Sequence, residues 1–255
     1  MCLITFAWRA HPQHELVLAA NRDEFHHRPT AAANWWTDAP DVLGGRDLSQ
    51  GGSWLAVSRR RRVAAVTNVR RMVQPDPAAP SRGQLVADFM RGSQSANDFA
   101  QTLHAHAERY AGFNLLLYDG EALLYASNQT DYSVTRLTPG VHGISNAALD
   151  TPWPKLCRLT DAMRSWITGG DLPMERLLDP LADSRPAPDA DLPDTGVGLE
   201  MERFLSSPFI CSPTYGTRCS TVLDFSVAGP GSFAERRYAA SGEITGETRE
   251  SFAYR

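Results

Sequence analysis

The chain has 255 residues, a formal net charge of −4, and 42% apolar against 21% charged residues. That length is ample for a real core, and the slightly acidic balance favours neither nucleic acid nor an anionic membrane as a partner. No run reaches the ~18 apolar residues of a spanning helix, and the start is not read as a secretory signal, because it lacks a basic n-region and Arg9 and His11 cut its apolar run short.

The first segment, "CLITFAW", is rich in β-branched and aromatic residues and predicts a strand. "RAHPQH" is a turn, and "ELVLAAN" returns as the second strand of a hairpin running into "NRDEF". In "LGGRDLSQGGSWLAVS", Gly44, Gly45, Gly51 and Gly52 predict an irregular loop before a strand at "SWLAVS". "RVAAVTNVR" is the next strand, and Arg59 to Arg62 fall between the two, where a charge run is expected to be a solvated turn. Ser81 and Gln84 have capping-box spacing and start a helix. Ser95 and Asp98 start a second, on which His104 and His106 cannot share a face. Asp119-Gly120 between two apolar runs predicts a type I′ hairpin. "VHGISN" is a strand ending at Asn146, and "TPWPKLCRLTDAMRSWIT" is a helix with prolines at its start and Gly169-Gly170 after its end. Residues 171–210 carry one or two short helices broken by an exposed "SRPAPDADLPDTG" loop. "RCSTVLDFSV" and "SFAERRYAA" close the chain as strands joined at "AGPG". Groups of strands and helices without βαβ alternation argue an α+β fold with largely antiparallel sheets. With no internal repeat and no linker, residues 1–255 read as one domain.

The four cysteines, Cys2, Cys157, Cys211 and Cys219, form no CxxC pair and no metal-ligand spacing, so no metal site is expected. They are read as reduced thiols in a cytosol, and Cys157, Cys211 and Cys219 as buried small hydrophobes. Cys2 is different. Removal of Met1 would give one residue both a thiol and an α-amine of pKa about 7.7–8.0, able to take the thiol proton and pass it to a leaving group without any histidine. Such a nucleophile needs donors for an oxyanion, and a carboxylate and guanidinium to orient the amine and tune the thiol. Polar residues at strand ends are the candidates: Asn21, Arg22, Asp23 and Glu24 in "NRDE", Asn68 in "AAVTNVR", Asn146 in "HGISN" and Arg218 in "TYGTRCST". Each has an ordinary alternative as an ion pair or turn residue.

"MCLITFAW", "AANRDEF", "GGRDLSQGGSWLAVS", "AAVTNVR", "GISNAALDTPWPK" and "TYGTRCSTV" resemble, in order and over the whole chain, the NRDE family, also called the transport and Golgi organisation protein 2 family. That family is grouped with the N-terminal nucleophile hydrolases. The resemblance implies a four-layer αββα sandwich with two stacked antiparallel sheets. It also implies cleavage of a non-peptide carboxamide through a thioester on Cys2, as in choloylglycine hydrolases, penicillin V acylase and acid ceramidase. It makes Cys2 the nucleophile, Asn68 and Asn146 oxyanion donors, Asp23 the residue orienting the amine, and Arg22 and Arg218 tuners of the thiol or binders of substrate. Arg46 in "GGRD" would line the pocket mouth or pair with Asp47. "NRDE" departs from the relatives, which place the arginine three residues before the aspartate. Here Arg22 and Asp23 are adjacent, and in an extended strand Arg22 and Glu24 share one face while Asn21 and Asp23 share the other. Which of them meets Cys2 is left open.

A second function implied within the family is binding and movement of haem. Cys2, His26 and His27 would be axial ligands, without a CxxCH attachment motif. Trp35, Trp36, Trp54 and Trp153 would suit an acyl chain, a steroid or a porphyrin, or be core. The expected partner is thus a small amide or hydrophobic ligand, with no cofactor for the hydrolase and haem for the alternative.

Overall fold

The computed structural model describes residues 2–70, 76, 78–170 and 172–255. In chain order it contains β1 (Cys2–Trp8), β2 (His14–Phe25), β3 (Thr30–Trp36), β4 (Ala39–Asp47), β5 (Leu55–Ser58), β6 (Val63–Asn68), α1 (Arg82–Arg91) and α2 (Ala96–His104). There follow β7 (Phe113–Tyr118), β8 (Leu123–Ser127), β9 (Ser133–Arg136), β10 (Gly140–Ile144), α3 (Pro154–Thr168), α4 (Leu178–Leu181), α5 (Leu199–Phe204), β11 (Tyr215–Ser226), β12 (Gly231–Tyr238) and β13 (Ile244–Phe252). No helix among the described residues is long and apolar enough to cross a membrane.

Two compact units emerge. One comprises Met1–His27, Arg70–Met72 and Pro139–Ser251, the other Arg28–Val69, Val73–Thr138 and Phe252–Arg255. The first is built on a six-stranded sheet of order β10-β1-β2-β11-β12-β13. One sheet face is apolar through Leu3, Ala7, Val17, Ala19, Val222 and Ala234, and α3 covers it with Leu156, Leu159, Met163 and Trp166. The i, i+3, i+4 spacing of those α3 residues is what makes the helix bury one stripe. The second unit is a seven-stranded meander, β3 to β9 in sequence order. Its core joins Val42, Ala56, Ala64, Leu115 and Leu117 to Leu85, Phe89, Ala96 and Leu103 of α1 and α2.

Several local expectations change in the second unit. The glycines of "LGGRD" lie in β4, not in a loop. A Cβ on Gly44 would sit 2.6 Å from the Leu55 carbonyl oxygen, so the residue is glycine because strands approach closely there. The Asp119-Gly120 hairpin exists, but Tyr118 pairs with Leu123, leaving a four-residue loop. Gly120 alone of its residues has positive φ, at 95°, so the turn is not type I′. Asp119 instead accepts the backbone N–H groups of Ala96, Glu121 and Ala122. Ser81 caps α1 through the Gly83 N–H, while Gln84 turns to Asp88, so the reciprocal half of the capping box is not made.

The arginine run is not a solvated tip. Arg62 is buried and donates to the carbonyls of Phe89 and Gln94 at 3.0 and 2.8 Å, and Arg60 donates to Met90. These are orphan carbonyls at and just beyond the C-terminus of α1, the negative end of its dipole. Arg59 and Arg61 lie over the rings of Trp35 and Tyr254. Arg62→Met should therefore lower stability by about 2–3 kcal/mol, by leaving two carbonyls unsatisfied. A chemical-denaturation midpoint equal to wild type would show that the run is dispensable.

Candidate functional site

β1 and β2 pair antiparallel with Cys2 opposite Arg22, and β2 and β11 pair with Arg22 opposite Cys219. Directly opposed residues share a sheet face, so Cys2, Arg22 and Cys219 line one face and Leu3, Asn21 and Ser220 the other. The register answers the question left open by "NRDE": Arg22 is the cross-strand partner of the cysteine. Between the pairs Asp23–Thr217 and Arg22–Cys219 the register shifts, and Arg218 is the extra residue of a β-bulge. Bulges bend a strand and re-aim a side chain. Arg218 uses one guanidinium nitrogen to hold the Phe25 carbonyl at 2.8 Å.

Asn21 lies inside the first unit. Its Nδ2 donates to the carbonyls of Leu181 and Pro208 at 2.8 and 2.9 Å, and Ser220 donates to its Oδ1 at 2.5 Å. It fastens α4 and the segment before β11 to the sheet. Glu24 is half-buried, and Oε1 accepts the neighbouring Phe25 N–H. Asp23 is buried at 1% exposure, and Thr217 donates to its Oδ1 at 2.7 Å. Burial raises the Asp23 pKa, opposed first by Lys155 and then by the Thr217 hydrogen bond and Arg22.

Cys2 is 8% exposed. Burial pushes its thiol pKa up, with Asp23 and Glu24 adding to the rise and Arg22 opposing it. Asn146 is buried two residues beyond Ile144, the partner of Ile4 in the β1–β10 pairing, so the register continued leads to Cys2. Its carbonyl accepts the Arg70 N–H at 2.8 Å. The Arg70 guanidinium is buried, pairs with Glu202 at 2.5 Å and lies 4.6 Å from the centre of the Trp153 ring.

Lys155, Arg70, Glu202 and Tyr215 were missed by sequence reasoning. Lys155 is 2% exposed, and its Nζ has no hydrogen-bond partner among the described residues. Burial lowers its pKa to about 8, with Asp23, Arg70, Cys2 and Glu202 as the charges it feels. A signal for it was present: Lys155 occupies the i−4 position of the stripe Leu159, Met163 and Trp166, where an apolar residue belongs. Burial raises the Tyr215 hydroxyl pKa, and the charges of Asp23 and Cys2 add to the rise. Arg70 and Glu202 stand in segments with no pattern to mark them.

Other candidates lie elsewhere. Asn68 ends β6 in the second unit. Arg46, also there, pairs with Asp38 rather than Asp47 and donates to the Gly51 carbonyl, while Asp47 pairs with Arg28. Trp36 and Trp153 belong to the cores of their own units, Trp54 is buried, and Trp35 packs edge-on to Phe252. His26 bonds the Ser212 carbonyl through Nε2, and burial lowers its pKa. Contrary to expectation Cys211 is exposed and Cys157 half-exposed; Cys219 is buried as expected. No metal-binding cluster of His, Cys, Asp and Glu occurs among the described residues.

Solved structures share this fold. The chain aligns with an N-acylethanolamine-hydrolyzing acid amidase ortholog from Caenorhabditis elegans with a TM-score of 0.52 at 10% identity, covering 87% of this chain and 92% of that one. A Cys-to-Ala mutant (C2A) of a conjugated bile acid hydrolase from Clostridium perfringens aligns with a TM-score of 0.53 at 8% identity, over 100% and 97% of the two chains. The chain thus shares the fold of these two hydrolases, with two antiparallel sheets and helices, as the resemblance implied. By sequence, the chain is 36% identical to a Transport and Golgi organization protein 2 homolog of Bos taurus, with 97% of both chains covered. It is 34% identical to the Homo sapiens homolog over 92% of both. The profile described as Transport and Golgi organisation 2 matches residues 1–240, and the chain belongs to that family.

Proposed function

We propose that the chain is an N-terminal-cysteine hydrolase of a non-peptide carboxamide. The observation that carries this reading is the pairing of Cys2 with Arg22, beside buried Asp23 and with Arg218 on a bulge of the neighbouring strand. The fold shared with an amidase and a conjugated bile acid hydrolase supports the reaction class.

Removal of Met1 gives Cys2 a free α-amine. The amine takes the thiol proton, and the thiolate sulfur bonds to the carboxamide carbon. The carbonyl electron pair moves to oxygen, and the Asn146 side chain and a backbone N–H hold that oxyanion. The C–N bond breaks as the leaving amine receives the proton from the α-ammonium, which leaves a thioester. Water then attacks the thioester, its proton goes to the α-amine, and the carboxylic acid departs with the thiol restored. Asp23 as carboxylate orients the α-amine. Arg22, across the strand pair, offsets the burial that raises the thiol pKa. Arg218 binds substrate.

Two measurements test this. Intact mass should show a chain shorter by its first methionine; retention of Met1 puts the amine on the wrong residue and ends the reading. N-acyl amides should be turned over by wild type at least 10³-fold faster than by Cys2→Ala, the loss expected when the nucleophile of a cooperating set is removed. Equal turnover by both proteins excludes Cys2 from the reaction.

A further inference from the structure

We propose that the N-terminal turn of α3, with Lys155 and Arg70, is a recognition site for a carboxylate on the ligand of the Cys2 site. The inference rests on the hydrolase reading for what that ligand undergoes, and adds that the amide substrate is an anion.

α3 begins unusually. Its cap residue, Trp153, makes no side-chain capping hydrogen bond, and no acidic residue occurs in the first turn. The N-terminus of a 15-residue helix carries a partial positive charge that favours an anion, although the N–H groups of Trp153 and Leu156 are taken by the carbonyls of Thr151 and Trp153. The second helical residue is instead Lys155, a cation placed at the positive end and buried to 2% exposure. Nothing among the described residues accepts a hydrogen bond from its ammonium. Arg70, whose guanidinium lies 4.6 Å from the ring of that same cap residue, is 5% exposed in its side chain. One of its nitrogens meets Glu202, while Nε and Nη2 have no hydrogen-bond partner among the described residues.

The acids within reach absorb only part of these donors. Both oxygens of Glu202 are engaged, Oε2 by Arg70 and Oε1 by the N–H and hydroxyl of Thr195. Oδ1 of Asp23 is engaged by Thr217, and the Asp23 carboxylate is the first charge that offsets Lys155, while Nε and Nη2 of Arg70 stay open. Native interiors pair buried charges and satisfy buried donors, so an ammonium and two guanidinium nitrogens left without hydrogen bonds beside a helix N-terminus call for an external acceptor. A carboxylate matches the planar fork of arginine, and lysine adds a point charge. The place adjoins the nucleophile: the Arg70 N–H holds the carbonyl of Asn146, and Lys155 feels the charge of Cys2.

The probes are p-nitrophenyl acetate and mono-p-nitrophenyl succinate, which differ in a carboxylate on the acyl chain. Wild type should favour the succinate ester at least tenfold in kcat/KM. Lys155→Met, a length-matched apolar replacement, should bring the ratio of the two esters' kcat/KM values to parity, whatever the variant's absolute rate, and Lys155→Arg should retain most of the preference. Free succinate should raise the thermal midpoint of wild type saturably and leave that of Lys155→Met unmoved. An unchanged ester preference in Lys155→Met, or an equal succinate response in both proteins, overturns the site. A Lys155-dependent succinate response without ester preference would mean that the site takes a free anion, and overturns its assignment to substrate. If wild type handles both esters no faster than Cys2→Ala, the hydrolase reading falls. The succinate response of Cys2→Ala against Cys2→Ala/Lys155→Met then decides the anion site by itself. If Lys155→Met does not fold, judged by circular dichroism, Lys155→Gln takes its place in every comparison.

Discussion

Asn21→Leu is expected to destabilise the protein by about 3–5 kcal/mol, read as a lower midpoint in urea. The leucine keeps the volume and removes both amide donors and the acceptor. The carbonyls of Leu181 and Pro208 and the hydroxyl of Ser220 would be left buried beside it, and each unsatisfied group costs about 1–3 kcal/mol. The position began as one of the polar strand-end candidates, for substrate binding or for support of the nucleophile, because it opens "NRDE". Its three hydrogen bonds make it instead a latch between β2, α4 and the chain ahead of β11. A midpoint within error of wild type, with lowered turnover, would return Asn21 to the reaction and refute the latch.

Stability should also carry a pH signature of Lys155. Its pKa is lowered from 10.5 to about 8 by burial. Between those values the unfolded chain holds a proton that the folded chain has released, so the lysine's contribution to stability rises with pH through that window. Below pH 8 the folded protein bears the cost of a buried charge. The full difference, at 1.36 kcal/mol per pKa unit, is ~3 kcal/mol. Cys2, Cys219 and Tyr215 act oppositely: burial raises their pKa values, so they hold protons longer in the folded state and their contribution falls as pH rises past the unfolded values. The quantity to measure is therefore the gap in unfolding free energy between wild type and Lys155→Met at pH 7.5, 8.5 and 9.5. The gap should move towards wild type by about 1 kcal/mol per pH unit. A gap that stays constant means that Lys155 does not titrate there.

The strands that sequence reasoning located are those whose burial leaves a residue pattern. "CLITFAW" is buried at every position, and the segments around Asp119 were equally plain. β13 escaped because it is the outermost strand of its sheet, mostly exposed, and its residues "ITGETRESF" carry no apolar alternation. β4 escaped because Gly44 and Gly45 read as loop punctuation, whereas Gly44 is a place of close strand approach. The arginine run was misjudged for a related reason. A cation that caps a helix about 30 residues away looks, in the chain, the same as one in water.

Motif reading proposed Cys2, Arg22, Asp23, Asn146 and Arg218 as candidates for chemistry, and all five lie in the first unit; family membership followed from segments that stand in order along the chain. The local alternation of "NRDE" even divided its four residues correctly between two faces. Pairing partners lay beyond that reading. Which face holds the cysteine depends on the β1–β2 register, and the register depends on which apolar set is buried under α3. The extra residue at Arg218 exists only relative to β2. Lys155 became notable only once its helix packed on the sheet, because desolvation is a property of the surrounding fold and not of the residue. Residue types and local periodicity were written in the chain itself; register, bulge and burial arise only when distant segments meet.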